Sequence, residues 1–329
     1  MHSAIPDIDL SQWRSVSASR RAVLAADLDR SLRETGVFFL SGFEMPMGLE
    51  EALKACGRAF FELPNEVKKS CVAETASDHG WNLLVEDVPA PENGRLPTSP
   101  LHHGHQKAFR IGRENLAEEM ALDRFYYPPN RWPESAATLR LIASRYTACM
   151  TRVAQEVNAL LAEVLGLDAD FFAGHATEAC WTQHVMWHPP ADCPAFVERL
   201  PARRRFGADV GLFTLRSQVV ELQAVSSSGE YSTWQCPDGS LIVNLGSLME
   251  RWTDGRWRAP QYRFVTPSSL LREEETISLA FSFEADPEAW IQPLAEPIGG
   301  GAGHEPALSR FAVLQKLGVT VPSDDNTSW

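Results

Sequence analysis

The sequence predicts a mixed α/β fold in which a double-stranded β-helix (jelly-roll) core is flanked by N-terminal helices and a long spine helix. Three observations lead to this prediction. Apolar residues of the first half recur at helical spacing, residues 134–165 carry one continuous apolar stripe, and after residue 179 short strands alternate with turn signals. We expect the strands to form a sandwich that packs against the long helix.

The first half contains three predicted helices and one predicted strand. A helix over residues 17–34 leads into a buried strand at 37–40, and a second helix over 47–63 is interrupted by Pro64. The spine helix covers about 134–165 and presents its apolar stripe to the sheet. These elements predict a helical layer on one side of the core.

The second half is predicted to be rich in strands. The strand candidates are residues 182–188, 213–215, 219–224, 241–245, 263–266 and 276–283. The tail from Pro297 contains several glycines, which predicts a flexible connector to a short helix near 307–317. We therefore divide the chain into an N-terminal region, a spine-helix region, a jelly-roll core and a tail, at 1–120, 121–178, 179–290 and 291–329.

Composition and charge exclude several classes of function. The chain has 329 residues and a formal charge of -13, which would repel the phosphates of nucleic acids. No apolar run is long enough for a membrane span, and the N-terminus lacks the pattern of a signal peptide. The six cysteines are too widely spaced for a zinc ribbon. We expect a cytoplasmic protein whose partner is a small-molecule substrate, with neither nucleic acid nor membrane as a partner.

Motifs along the chain resemble one enzyme family. They are Ile5 to Leu10, Glu34 to Phe39, Ala59 to Lys68, Gly80-Trp81, Lys107 to Gly112, Asn130 to Glu134, Asn244 to Gly246 and Trp252 to Gly255. In this order they resemble the isopenicillin N synthase-like, Fe(II)- and 2-oxoglutarate-dependent oxygenases. The resemblance covers roughly residues 5–290 and implies the jelly-roll fold and an oxidoreductase ancestry.

The metal site that the resemblance implies is degenerate in this chain. The family holds Fe(II) with a His-x-Asp pair and a more distant histidine, which leaves three coordination positions open. Here the pair reads Gly207-Ala208-Asp209, and the distant histidine position is Tyr262. No histidine occurs between His188 and His304, so a small error in alignment cannot restore the missing ligand.

The co-substrate site that the resemblance implies has also changed. The family binds 2-oxoglutarate with an Arg-x-Ser pair on a late strand, and here that pair reads Thr276-Ile277-Ser278. A tyrosine that usually assists is replaced by His188. Fe(II) and 2-oxoglutarate are expected of the family, but because their ligands are missing we predict that this chain binds no cofactor.

The sequence then favours a biosynthetic enzyme for a small molecule, one of specialised metabolism, that performs a non-redox step. Isomerisation, cyclisation, elimination or dehydration would proceed by acid/base and shape catalysis. Burial would raise the pKa of Asp209 and prepare it for proton transfer, His188 would be its partner, and Tyr262 would donate a hydrogen bond. The predicted substrate-binding residues are His184, Met186, Trp187, Arg263 and Ser278.

Two alternatives remain open. The chain could be an oxidoreductase or dioxygenase with a rewired metal site, because His184 and His188 share one face of their strand and could join Asp209. It could also be a catalytically silent pseudo-oxygenase scaffold that pairs with an active relative.

Overall fold

The structure, a computed structural model, describes most of the chain. The described residues are 5–73, 79–82, 107–113, 127–188, 208–217, 221–225, 231–234, 236–265 and 275–316. The helices are α1 (Leu10–Ser15), α2 (Ala18–Glu34), α3 (Leu49–Glu62), α4 (Asn65–Lys69), α5 (Ala137–Val164), α6 (Ser247–Trp252) and α7 (Ser309–Lys316).

Thirteen strands accompany these helices in the described part of the chain. They are β1 (Asp7–Asp9), β2 (Val37–Ser41), β3 (Gly80–Asn82), β4 (Lys107–Gly112), β5 (Trp181–His188), β6 (Phe213–Ser217), β7 (Glu221–Val225), β8 (Tyr231–Trp234), β9 (Leu241–Leu245), β10 (Gln261–Val265), β11 (Thr276–Phe283), β12 (Trp290–Ile291) and β13 (Ala307–Leu308). The predicted mixed α/β fold with a jelly-roll core is confirmed.

The strands form a large sheet and a small sheet. The large sheet has eight strands in the order β1-β2-β9-β6-β11-β5-β4-β3, and the small sheet has the order β10-β7-β8. All neighbours are antiparallel except β1 and β2, which are parallel. Four strands of the large sheet come from the N-terminal region, so the barrel is built from both halves of the sequence.

The large sheet has two faces with different partners. Its inner face meets the small sheet through a buried cluster of Val37, Phe39, Ala224, Trp234, Cys236, Ile242 and Tyr262. Its outer face packs against α2, α3 and α5 in a much larger apolar core. Polar side chains are buried on the inner face, which makes that face the candidate site.

Local signals explain where the helices begin and how closely they pack. The side chain of Ser17 accepts a hydrogen bond from the backbone N–H of Arg20 and caps α2. Helix α3 lies so close to β5 that a Cβ at Gly57 would stand 2.6 Å from the Val185 side chain. Glycine is therefore required where the helix crosses the sheet.

The long elements were predicted within a few residues. The spine helix is Ala137–Val164 against the predicted 134–165, and the last strand of the core matches its predicted bounds. The predicted 213–215 strand is longer and runs to Ser217. That extension matters, because it places Arg216 in the strand.

The prediction of a flexible tail is wrong for the residues that the structure describes. The Gly300 N–H donates to the carbonyl of Thr253, and the backbone N–H groups of Gly303 and His304 donate to the carboxylate of Asp254. Glycine allows this close approach of two backbone segments and does not loosen the chain here. Among the described helices, none combines the length and apolar character needed to cross a membrane.

Candidate functional site

The inner face of the large sheet carries the candidate site because side chains alternate along a strand. On β5, His184, Met186 and His188 point to the inner face, whereas Val185 and Trp187 point to the helices. His184 and Met186 are buried, and His188 is half-buried. The predicted pairing of the two histidines on one face is therefore present.

Asp209 lies at the centre of a closed hydrogen-bond network. Its Oδ2 accepts from Arg216 Nη2 at 2.8 Å, from Asn244 Nδ2 at 2.9 Å and from the hydroxyl of Thr214. Its Oδ1 accepts from the hydroxyl of Tyr262. Arg216 also donates to Tyr262 and, through Nε, to Asn244 at 3.0 Å. Both carboxylate oxygens of Asp209 are thus engaged.

The electrostatics of Asp209 contradict the sequence prediction. Burial by itself raises the pKa of Asp209, but the Arg216 guanidinium and the donated hydrogen bonds outweigh it and lower the pKa below its usual value. The pKa of Tyr262 is raised well above its usual value, by burial first. Asp209 is therefore ionised at neutral pH, and the predicted rise of its pKa is wrong, whereas its catalytic role stays a prediction.

Arg216 is the residue that sequence analysis missed. It is buried, its guanidinium carbon lies 5.1 Å from the centre of the Tyr262 ring, and its ion pair with Asp209 is shielded from solvent. A signal did exist, since an arginine two residues after Thr214 falls on the same face of the strand as that threonine. Asn244, directly opposite Thr214 on β9, was noted as a family motif without a role.

His184 is surrounded by positive charge. Burial first, and then the guanidinium groups of Arg110 and Arg216, lower the pKa of His184 well below its usual value. Arg110 is itself buried and lies directly opposite His184 on β4. His184 is therefore a neutral imidazole at pH 7, placed between two arginines.

His188 and Ser278 form a second polar pair on the inner face. His188 Nε2 lies 2.6 Å from Ser278 Oγ, and burial lowers the pKa of His188 to about 4. His188 is thus placed at Ser278, and its role as the proton-transfer partner of Asp209 stays a prediction. Both residues stay candidates for substrate binding.

The remaining predicted substrate-binding residues are placed differently. Met186 lies on the inner face in a small buried cluster with Ala108 and Ala280. The prediction for Trp187 is wrong, because its indole lies on the outer face and donates to Glu275. The backbone of Arg263 lies in β10, but its side chain is outside the described residues.

Among the described residues, the side chains of the inner face do not make up a complete set of metal ligands. The part of the chain that the structure describes contains no group of three His, Cys, Asp or Glu side chains that could hold a metal. The rewired set of His184, His188 and Asp209 is therefore not brought together as a ligand group. His188 is held at Ser278, and Arg216 and Tyr262 occupy the oxygens of Asp209.

Sequence comparisons identify related enzymes. A model described as "non-haem dioxygenase in morphine synthesis N-terminal" matches residues 5–135. The chain is 39% identical over 319 residues to validamycin A dioxygenase of Streptomyces hygroscopicus subsp. limoneus, covering 96% of this chain and 86% of that protein. It is 28% identical over 302 residues to a 2-oxoglutarate-Fe(II) type oxidoreductase of Emericella nidulans, covering 87% and 81%.

Solved structures share the fold. A 2OG-Fe(II) oxygenase family protein of Caulobacter crescentus superimposes with a TM-score of 0.79 at 20% identity, covering 96% of this chain and 99% of the other. A full-length Neurospora crassa protein, solved in complex with alpha-KG, gives a TM-score of 0.76 at 19% identity, covering 95% and 96%. At these identities the likeness concerns the fold alone.

The comparisons correct the prediction that no cofactor is bound. The relatives are named as dioxygenases and as a 2-oxoglutarate-Fe(II) type oxidoreductase, and the Neurospora protein was solved with alpha-KG bound. The prediction was wrong because it inferred the absence of cofactors from three substituted positions. These relatives therefore point to bound Fe(II) and 2-oxoglutarate and not to the absence of a cofactor.

Proposed function

Because the chain belongs to the 2-oxoglutarate- and Fe(II)-dependent oxygenase family, we propose that it is a biosynthetic oxidoreductase that acts on a small molecule inside the jelly roll. The observation that carries the proposal is the 39% identity to a dioxygenase over 96% of the chain. Buried polar side chains on the inner face support it, because a barrel built only for stability would be filled with apolar ones.

The substrate class is proposed from the same relative. Its name assigns it validamycin A, so validamycin A and its biosynthetic precursors are the first compounds to test. We propose that His184, Met186, His188 and Ser278 contact the ligand, because they line the inner face of β5 and β11. In this proposal Asp209 and Tyr262 line the opposite side of the ligand-binding cavity.

The role of Asp209 separates this proposal from a competing one. The competing proposal is the non-redox step, and the engagement of both Asp209 oxygens by Arg216, Tyr262 and their neighbours favours it. The lowered pKa of Asp209 counts against Asp209 as the acid of that step, because a carboxylate that stays ionised is a poor proton donor, and the dioxygenase relative does not support that step. We therefore place the oxidoreductase first.

Metal content and co-substrate turnover test the proposal. The full chain is purified without chelator, its iron, manganese, zinc and copper are quantified, and it is then supplied with Fe(II), 2-oxoglutarate and validamycin A. We expect Fe(II)-dependent oxygen consumption and succinate formation, and a product detected by mass spectrometry. An Asp209→Asn variant should lose this turnover, because it removes the charge of the one buried carboxylate in the network.

A matched control separates the role of Asp209 from a general effect of removing a carboxylate. Asp238 is exposed, so Asp238→Asn should keep the wild-type rate. Folded protein that shows no Fe(II)-dependent oxygen consumption or succinate formation, with or without the test compounds, would overturn the oxidoreductase. Conversion of a test compound without oxygen uptake would then support the non-redox step, and no conversion would support the silent scaffold.

A further inference from the structure

A cavity lies on the outer face of the large sheet, between β4, β5 and the spine helix α5. Its volume is about 290 Å³, which equals the volume of about ten molecules of liquid water. Ile111 and Trp181 form the sheet side, and hydroxyl-bearing residues of α5 form the helix side. Because Asp209 and its network lie on the inner face, this cavity is separate from the candidate site described above.

The helix side of the cavity presents hydroxyl oxygens. The hydroxyl of Ser144 donates to the carbonyl of Arg140 at 2.8 Å. The hydroxyl of Thr147 donates to the carbonyl of Ser144 at 3.2 Å, and that of Thr151 to the carbonyl of Thr147 at 2.8 Å. A hydroxyl has one proton and two lone pairs, so its oxygen still accepts when its proton is used within the helix. This side of the cavity therefore offers hydrogen-bond acceptors.

Two arginines in the lining provide N–H donors. Arg113 donates to the carboxylate of Glu178, and the guanidinium carbon of Arg140 lies 6.0 Å from the centre of the Trp132 ring. A guanidinium has five N–H groups, so one partner does not exhaust its donors. Because the charge of Arg113 is paired with a carboxylate, this part of the lining favours a neutral acceptor over an anion.

Trp181 gives the cavity a rigid aromatic surface. Its ring is stacked on the ring of Phe281, with centroids 5.5 Å apart and planes inclined by 26°, and Phe281 is fully buried. Phe281 covers one face of the indole, so the cavity meets the opposite face or the edge. Such a surface packs favourably against the C–H groups of a saturated ring.

A ligand that matches this lining both donates and accepts hydrogen bonds and also carries C–H groups. A carboxylate only accepts and an ammonium only donates, whereas a hydroxyl does both. We propose that the cavity binds one neutral polyol ring, a monosaccharide or a cyclic polyol of similar size. Its C–H groups pack against Trp181, and its hydroxyls bridge the acceptors of α5 and the arginine donors. This binding is additional to the oxidoreductase reaction and does not depend on it.

A ligand series tests the chemical class. Saturation-transfer NMR and isothermal titration calorimetry on the full chain compare glucose, galactose, mannose and myo-inositol with cyclohexanecarboxylate and cyclohexylammonium. We expect at least one polyol to bind with a dissociation constant of about 1–10 mM, and about tenfold or more tightly than either charged ring. Tighter binding of cyclohexanecarboxylate, or no binding of any polyol at about 50 mM, would overturn the proposal.

Variants on α5 locate the bound polyol. Thr151→Val removes one hydroxyl and keeps the shape of the side chain, and it should weaken polyol binding about threefold to tenfold, as should Ser144→Ala. The matched control is Thr138→Val, because Thr138 is an exposed threonine of the same helix outside the cavity lining. Unchanged polyol affinity in both folded cavity variants would overturn the location.

An inner-face variant separates this cavity from the barrel. Ser278→Ala alters the inner face and should leave the polyol affinity unchanged, whereas Thr151→Val should weaken it and leave any Fe(II)-dependent oxygen consumption at the wild-type rate. Polyol binding that is weakened by Ser278→Ala and not by Thr151→Val would place the polyol in the barrel and overturn the outer site. Because these are binding measurements, they decide the outer site whether or not the chain shows turnover.

Discussion

Replacing Arg216 with methionine should leave Asp209 as a buried carboxylate without its main counter-charge. The two side chains are 4% and 8% exposed, and Arg216 Nη2 lies 2.8 Å from Asp209 Oδ2. Removing one partner of a buried ion pair costs about 3–5 kcal/mol. We expect the free energy of unfolding of Arg216→Met, measured by urea denaturation at pH 7, to fall by that amount.

A double variant tests whether the cost comes from the unpaired charge. In Arg216→Met/Asp209→Asn the carboxylate is gone, so much of the loss should be recovered, with a coupling energy of about 2 kcal/mol or more. The matched control is Arg30→Met, since Arg30 and Asp27 form an exposed pair, and its cost should stay below about 1 kcal/mol. If Arg216→Met costs less than about 1 kcal/mol, or if the double variant is no more stable than the single one, the reasoning is refuted.

The pH dependence of the same variant has a definite sign. In the wild type the lowered pKa of Asp209 contributes stability above its ordinary pKa of 3.8, and this contribution is lost as the pH falls through the folded-state pKa. In Arg216→Met, burial is expected to raise the pKa of Asp209, so that protonation stabilises the folded state. The stability difference between the two proteins should therefore shrink as the pH falls from 7 towards 4.

Two further variants test other parts of the structure. Tyr262→Phe removes the hydroxyl that donates to Asp209 and accepts from Arg216, and it should lower the free energy of unfolding by about 1.5–3 kcal/mol in urea denaturation; a change below about 0.5 kcal/mol would contradict the network. Burial raises the pKa of Glu284 from 4.5 to about 7, so the folded protein loses stability as the pH rises from 4.5 to about 7, and the loss is complete above that pH. Glu284→Gln should therefore gain roughly 1–3 kcal/mol at pH 8 and little at pH 4.5, and equal gains at both pH values would contradict a raised pKa.

The periodicity of apolar residues was sufficient to predict most of the architecture. The stripe on α5 and the strand of residues 276–283 were predicted because burial of one face imposes a regular spacing on the sequence. The short strands β1, β3 and β13 were not predicted, because two or three residues carry too little periodicity. Their pairing depends on partners that are distant in sequence.

The candidate site was predicted in part. Asp209, Tyr262 and His184 were named from their positions, and the structure places all three on the inner side of the barrel. Arg216 was missed because its strand was predicted to end at Leu215, two residues before its actual end. Trp187 was predicted to bind substrate because of its aromatic ring. Alternate residues of a strand point to opposite faces, and this alternation places Trp187 on the outer face.

The sequence alone determined the family and the jelly-roll fold, and it predicted that Gly207 and Tyr262 stand where the family has metal-binding histidines. The network around Asp209 was decided by the tertiary structure. Arg216 is seven residues from Asp209, Asn244 is thirty-five and Tyr262 is fifty-three, and they meet because strand pairing brings their side chains to one place. The lowered pKa of Asp209 follows from this arrangement, because burial alone would raise the pKa and the neighbouring Arg216 guanidinium lowers it.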